Sequence, residues 1–98
     1  MGLRDPLPAD MVARRLESSG WKGGTEQISR TYDVAYDTAI RIVAEIGEAA
    51  IELEHRPDID IRWDRLRIVM TTHTAGDVVT ELDFLLAERI DQIVRDHA

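Results

Sequence analysis

The segment that decides the fold is residues 54–73, EHRPDIDIRWDRLRIVMTTH. Along it, polar and apolar side chains alternate with the period of two that is typical of β-strands. The pattern predicts two strands that share one apolar face, formed by Ile59, Ile61, Trp63, Leu66, Ile68 and Met70. A shift of one residue would bury charged side chains instead, so the choice of face is well determined.

A turn is predicted at Asp64-Arg65, which makes the segment a β-hairpin and sets its register. In that register Arg56 lies opposite His73. The open end of the hairpin then gathers His55, Arg56 and His73, with Thr71 and Thr72 close by. We therefore predict a functional site at this end.

The segments before the hairpin contain one helix, a second hairpin and a longer helix. Pro8 favours the start of the first helix, and Gly20 favours its end. Residues 21–34 have the pattern of a weaker hairpin, and its mixed faces predict an edge position in the sheet. The period becomes helical from about Ala35 to Glu54.

The last helix is predicted to begin at Thr80-Glu81-Leu82-Asp83, after a loop that follows His73. The element order is therefore α-β-β-α-β-β-α. Two hairpins and three helices predict an α+β fold with two layers, in which a four-stranded antiparallel sheet carries the helices on one face. At 98 residues the chain is expected to form one domain, residues 1–98.

Composition excludes several classes of function. The chain is 44% hydrophobic and 32% charged, as in globular proteins. Its net charge of −7 argues against a nucleic-acid partner, and the arginines are too dispersed to predict membrane binding. It has no cysteine and no apolar run long enough to span a bilayer. These features, with no secretory signal pattern at the N-terminus, predict a cytoplasmic protein.

The long helix has a second apolar face, formed by Ile40, Ala44, Gly47 and Ile51. This face either packs against the other helices or meets a second copy of the chain. A chain of this length often gains stability from association. We therefore expect a homodimer or a homotetramer.

The residues of the hairpin and of the last helix resemble one known family. The motifs are His55-Arg56-Pro57, Trp63, Thr71-Thr72-His73 and Thr80-Glu81-Leu82-Asp83. In this order and spacing they resemble the pterin-4a-carbinolamine dehydratase family, in which the first motif is normally His-His-Pro. The resemblance implies the same α+β fold and a small-molecule pterin substrate. It also implies that a 4a-hydroxytetrahydropterin loses water without a metal or a redox cofactor.

The implied dehydration needs a general acid and a general base, and histidine can supply either near neutral pH. The resemblance identifies His55 and His73 as the acid/base candidates. Candidates to bind the substrate are Glu54, Arg56, Pro57, Thr71, Thr72 and Asp83. Asp83 has an alternative role, since Thr80 and Asp83 also have the spacing of a helix capping box. The acidic residues around His55 are not expected to converge on a metal.

Three features depart from the family pattern. Arg56 replaces a histidine and cannot exchange a proton. Ile51 occupies a position that is usually polar or charged, and the loop between His73 and Asp83 has one extra residue. These departures favour an alternative in which the chain acts as a protein-interaction or dimerisation module. A further alternative is a module that binds pterin without turning it over.

Overall fold

The structure is a computed structural model that describes residues 2–97. Its helices are α1 (Ala9–Glu17), α2 (Tyr36–Leu53) and α3 (Glu81–Asp96). Its strands are β1 (Lys22–Gly23), β2 (Ile28–Asp33), β3 (Asp58–Arg62) and β4 (Arg65–Met70). A short 3-10 helix, His73–Ala75, follows β4. The predicted order of elements is confirmed.

The four strands form one antiparallel sheet in the order β1-β2-β4-β3. This α+β architecture, with helices packed on one side, confirms the predicted fold class. The prediction that the first hairpin lies at an edge is wrong for β2. All six residues of β2 pair with β4 in the middle of the sheet, and the edges are the two-residue β1 and β3.

The hydrophobic core lies between the sheet and the helices. Period-two alternation directs one set of strand side chains inward, and the apolar stripes of α2 and α3 cover them. The fully or nearly fully buried members include Ile28, Tyr32, Ile42, Ile46, Leu66, Ile68, Met70, Leu86 and Ile90. The predicted inward face of β4 is therefore confirmed.

The register of the second hairpin differs from the prediction by two residues. Arg62 pairs with Arg65, so the two-residue turn is Trp63-Asp64 rather than Asp64-Arg65. Ile59 pairs with Ile68, not with Met70. A shift of two residues keeps every side chain on its predicted face, because side chains repeat with a period of two. The buried face of β4 was thus predictable, but the partners were not. In β3 the predicted buried face is wrong for Ile59, which is 36% exposed at the edge of the sheet, and Ile61 is half-buried.

Two expectations fail because of this register. Trp63 lies in the turn and is 83% exposed, whereas it was predicted to lie in the core. Arg56 does not lie opposite His73. Continuing the observed pairing outward from Asp58 and Val69 places His55 opposite Thr72.

Helix α2 leaves its second apolar face uncovered by α1 and α3. Tyr36, Ile40 and Ile51 are exposed on it, while Ala39, Ile42 and Ile46 are buried on the face toward the sheet. Of the two predicted uses of the second face, packing against the other helices is therefore not observed. Within residues 2–97, no helix is long and apolar enough to cross a membrane.

Candidate functional site

His55 is placed by the end of helix α2. The helix ends at Leu53, and Glu54 adopts a left-handed conformation with φ 51°. The His55 N–H donates to the Ala50 carbonyl at 3.0 Å, which satisfies a carbonyl of the last helical turn. This sharp reversal, required before Pro57, turns the His55 side chain toward the core.

His55 contacts Asp83 on helix α3. His55 Nε2 lies 2.5 Å from Asp83 Oδ1, and the two side chains are only 5% and 0% exposed. A carboxylate oxygen is an acceptor, so Nε2 carries the hydrogen and donates it. Such a charge-assisted bond is strong away from water. The pair fixes the orientation of the imidazole ring.

Asp83 also binds two threonines through its other oxygen. Thr72 Oγ1 donates to Asp83 Oδ2 at 2.8 Å, and the Thr80 N–H donates to the same atom at 2.9 Å. Since the Thr72 hydrogen is committed to Asp83, the Thr80 hydroxyl donates to Thr72 Oγ1 at 2.8 Å. Asp83 therefore closes the capping box of α3 with Thr80 and holds His55 at the same time.

The second ring nitrogen of His55, Nδ1, has no hydrogen-bond partner within residues 2–97. His55 is 5% exposed, and in the same part of the chain every fully buried side-chain nitrogen or oxygen has a partner, so Nδ1 is not completely buried. An imidazole that is anchored at one nitrogen and open at the other can take up or release a proton at the open nitrogen.

His73 lies on a cleft of about 630 Å³, which it shares with Asp58, Thr71 and Asp77. Side chains alternate along the extended chain, so Thr72 points into the core while Thr71 and His73 point outward. His73 Nδ1 pairs with Asp77 Oδ1 at 2.6 Å. This contact was not predicted. Its only sequence signal is a carboxylate four residues after a histidine.

The predicted site residues thus fall into two groups. His55, Thr72 and Asp83 form the buried network, whereas Thr71 and His73 line the cleft. Within residues 2–97 no hydrogen bond or ion pair links these two histidines.

The other three predicted binding residues stand apart from both groups. The Glu54 carbonyl accepts from Arg4, while the Glu54 side chain is exposed. Arg56 is exposed, and Pro57 is half-buried. Residues 2–97 contain no group of three or more histidines and acids placed to hold a metal.

A second hydrogen-bonded cluster is centred on the carboxylate of Asp91 in α3 and lies outside the predicted site. Asp91 accepts from Trp21 Nε1 at 3.2 Å, from Arg30 at 3.1 Å and from the Tyr32 hydroxyl. Burial, and then the hydrogen bond to Asp91, raises the pKa of the Tyr32 phenol. These hydrogen bonds join α3 to the first hairpin, and we interpret their role as structural.

The fold and the buried histidine–aspartate pair define the class: a small α+β protein in which a histidine between α2 and β3 is held by an aspartate of the last helix. Comparison with known families agrees with this class. The chain belongs to the family described as Pterin 4 alpha carbinolamine dehydratase, whose model matches residues 5–93. The family predicted from the sequence motifs is therefore confirmed.

Similar proteins support this membership. A relative in Herpetosiphon aurantiacus, named "Putative pterin-4-alpha-carbinolamine dehydratase", is 45% identical over 78 residues, covering 79% of this chain and 80% of the relative. A Brucella melitensis crystal structure, described as a transcriptional coactivator/pterin dehydratase, has a TM-score of 0.83 and 27% identity. The alignment covers 91% of this chain and 98% of that one.

A second solved structure shares the fold alone. It is described as a pterin dehydratase-like protein that is a RuBisCO assembly factor in the alpha-carboxysome. It has a TM-score of 0.59 and 16% identity, and the alignment covers 74% of this chain and 84% of that one. At this identity the likeness concerns architecture only.

Proposed function

We propose that the chain dehydrates a 4a-hydroxytetrahydropterin to a quinonoid dihydropterin and water, with His55 and His73 as the acid/base groups. Family membership supports a pterin substrate. The observation that carries the proposal is the buried His55–Asp83 pair, which holds His55 by Nε2 and leaves Nδ1 without a partner in residues 2–97.

The reaction breaks the bond between ring carbon 4a and its hydroxyl oxygen. A general acid protonates this oxygen, which departs as water. A general base removes the proton from the adjacent ring nitrogen, and a carbon–nitrogen double bond forms. One proton is donated and one is accepted, so the two histidines together end the cycle with an unchanged proton count.

Asp83 has a defined part in this proposal. Its hydrogen bond to Nε2 of His55 keeps the ring from rotating and leaves Nδ1 for proton transfer. Thr71 and Thr72 were predicted to bind the polar edge of the pterin. Thr71 lies on the cleft, and in the proposal it still binds the pterin. The Thr72 hydroxyl instead donates to Asp83.

Arg56 is where this chain departs most from the family motif. Arg56 follows His55 in the sequence and its side chain is exposed, so it can donate hydrogen bonds to the pterin carbonyl but cannot exchange a proton. We therefore expect wild-type activity to be modest. Arg56→His should raise it, because a third proton-exchanging group would join the site.

A stopped-flow assay of a synthetic pterin carbinolamine tests the proposal. The wild-type chain should dehydrate the substrate faster than buffer of the same pH and ionic strength. Arg56→Lys, which keeps the charge, serves as the control for Arg56→His. If neither the wild-type chain nor Arg56→His exceeds the buffer rate, the enzymatic proposal is rejected.

A second candidate function is that of a protein-interaction or dimerisation module. It is favoured by the exposed apolar face of α2, where Ile51 is 71% exposed in place of a polar residue. Large exposed apolar side chains at helical spacing are typical of interfaces. A chain that binds pterin without turnover, or that assembles through this face alone, would give no rate increase in the assay.

A further inference from the structure

The loop after β4 contains a second aspartate–histidine pair, formed by His73 and Asp77. His73 Nδ1 lies 2.6 Å from Asp77 Oδ1. In the buried pair, by contrast, Asp83 holds the Nε2 nitrogen of His55. The two histidines are thus held by opposite ring nitrogens. In residues 2–97, the second nitrogen of each has no hydrogen-bond partner.

The backbone hydrogen bonds of this loop place the Asp77 carboxylate beside His73. The Thr72 N–H donates to the Val78 carbonyl at 3.0 Å, and the Asp77 N–H donates to the Thr72 carbonyl at 3.2 Å, which closes the loop. Gly76 and Asp77 are both left-handed, with φ 91° and 60°. Glycine adopts this conformation freely, and aspartate is one of the few other residues that adopt it.

The His73–Asp77 pair adds little to the stability of the fold. The side chains of His73 and Asp77 are 69% and 72% exposed, and exposed pairs contribute little to stability. Both residues line the same cleft, so the 2.6 Å contact between them points to a role in that cleft.

We propose that Asp77 is a positioning residue for His73, an inference that rests on the dehydratase function proposed above. The carboxylate accepts the hydrogen of Nδ1, which fixes the imidazole in the form with a free electron pair on Nε2. His73 lines the cleft of about 630 Å³, a volume within the range of small-molecule sites. Asp77 thereby presents the open nitrogen of His73 to a substrate bound in the cleft.

The tautomer of His73 provides a test that does not depend on activity. Long-range proton–nitrogen NMR spectra of the full chain should show the neutral His73 ring protonated at Nδ1. In Asp77→Gly, which removes the acceptor and suits the backbone, the proton should move toward Nε2. Thr74→Gly controls for loop flexibility, because Thr74 lies in the same loop and leaves the pair intact. An unchanged tautomer in Asp77→Gly overturns the inference.

Kinetics then separate the inference from the proposed function. Asp77→Gly should lower kcat about tenfold with KM nearly unchanged, as for other residues that orient a functional imidazole. Asp77→Asn, which keeps an acceptor oxygen, should recover part of the loss. An active wild type whose kcat is unaffected by Asp77→Gly, but abolished by His73→Ala, overturns only the positioning role. A wild type no faster than buffer rejects the dehydratase proposal itself.

Discussion

Asp83 is the residue on which both the last helix and the candidate site depend. Its carboxylate accepts the cap bond of α3 and the hydroxyl bond from Thr72, and it pairs with His55, while it is fully buried. A buried carboxylate is tolerated only when its oxygens are satisfied. A change at Asp83 therefore affects the helix cap and the orientation of His55 together.

Asp83→Ala should lower the free energy of unfolding by about 2–4 kcal/mol, because it removes a helix cap and leaves buried donors without an acceptor. Asp83→Asn keeps an acceptor oxygen and should cost less. Urea denaturation measures both changes. Asp96→Ala, an exposed change on the same helix, is the matched control and should stay within about 0.5 kcal/mol of wild type. An Asp83→Ala chain as stable as this control would contradict the hydrogen-bond network.

The roles of Asp83 show what single residues reveal before a structure is known. The spacing from Thr80 to Asp83 predicted a cap, and the family motif predicted a site residue. The cap is confirmed, since one carboxylate oxygen accepts from the Thr80 N–H, while the other oxygen contacts His55. The partner His55 is 28 residues away, and this contact depends on how α3 packs, which no local pattern encodes.

Tyr32 gives a prediction about pH. Burial and the bond to Asp91 raise the pKa of its phenol, so the folded state holds this proton more tightly than the unfolded state does. This contribution to stability is fully present below pH of about 10, the ordinary tyrosine pKa, and is lost as pH rises through the folded-state pKa. In Tyr36→Phe, where Tyr32 is the sole tyrosine, phenolate absorbance should appear only as the helical circular dichroism is lost. Ionisation of a still-folded chain near pH 10 would contradict this prediction.

At the scale of elements, the second hairpin shows the limit of pattern analysis. Alternation identified both strands and the inward face of β4, because a one-residue slip exchanges apolar for charged side chains. A two-residue shift leaves the same side chains inward, so alternation could not exclude it. The turn Trp63-Asp64 also lacks the Asn-Gly or Asp-Gly pair that commonly marks a two-residue hairpin turn.

The observed turn predicts different environments for the two tryptophans. Trp63 lies exposed in the turn, whereas Trp21 is buried beside Tyr32. Acrylamide should quench the fluorescence of Trp21→Phe, which retains Trp63, far more than that of Trp63→Phe. Trp63→Phe should also change the free energy of unfolding by less than about 0.5 kcal/mol, as for exposed sites generally. Equal quenching of the two variants would support the register predicted from sequence instead.

At the scale of the whole molecule, the exposed face of α2 predicts self-association. Tyr36, Ile40 and Ile51 lie one above another along the helix and are open to solvent in the single chain. We propose a homodimer or a homotetramer that buries this face. The same face would serve a different partner if the chain acts as an interaction module.

Ile51→Glu should shift the protein to a single chain in light scattering at micromolar concentration, because it places charges where two helices would meet. Its fold should persist, since Ile51 is largely exposed within one chain. Leu3→Glu, an exposed apolar change outside helix α2, is the control and should leave the assembly intact. A wild-type chain that is already monomeric would contradict the prediction.

The most direct test of dehydration through His55 is a stopped-flow comparison of the wild-type chain with His55→Gln. The glutamine amide can still donate to Asp83, so the buried network stays satisfied, but it cannot exchange a proton. The rate above buffer should fall by about a hundredfold or more in the variant, as for loss of a positioned acid or base. Circular dichroism should confirm an unchanged fold. A His55→Gln chain as fast as wild type would contradict the assignment of His55 to proton transfer.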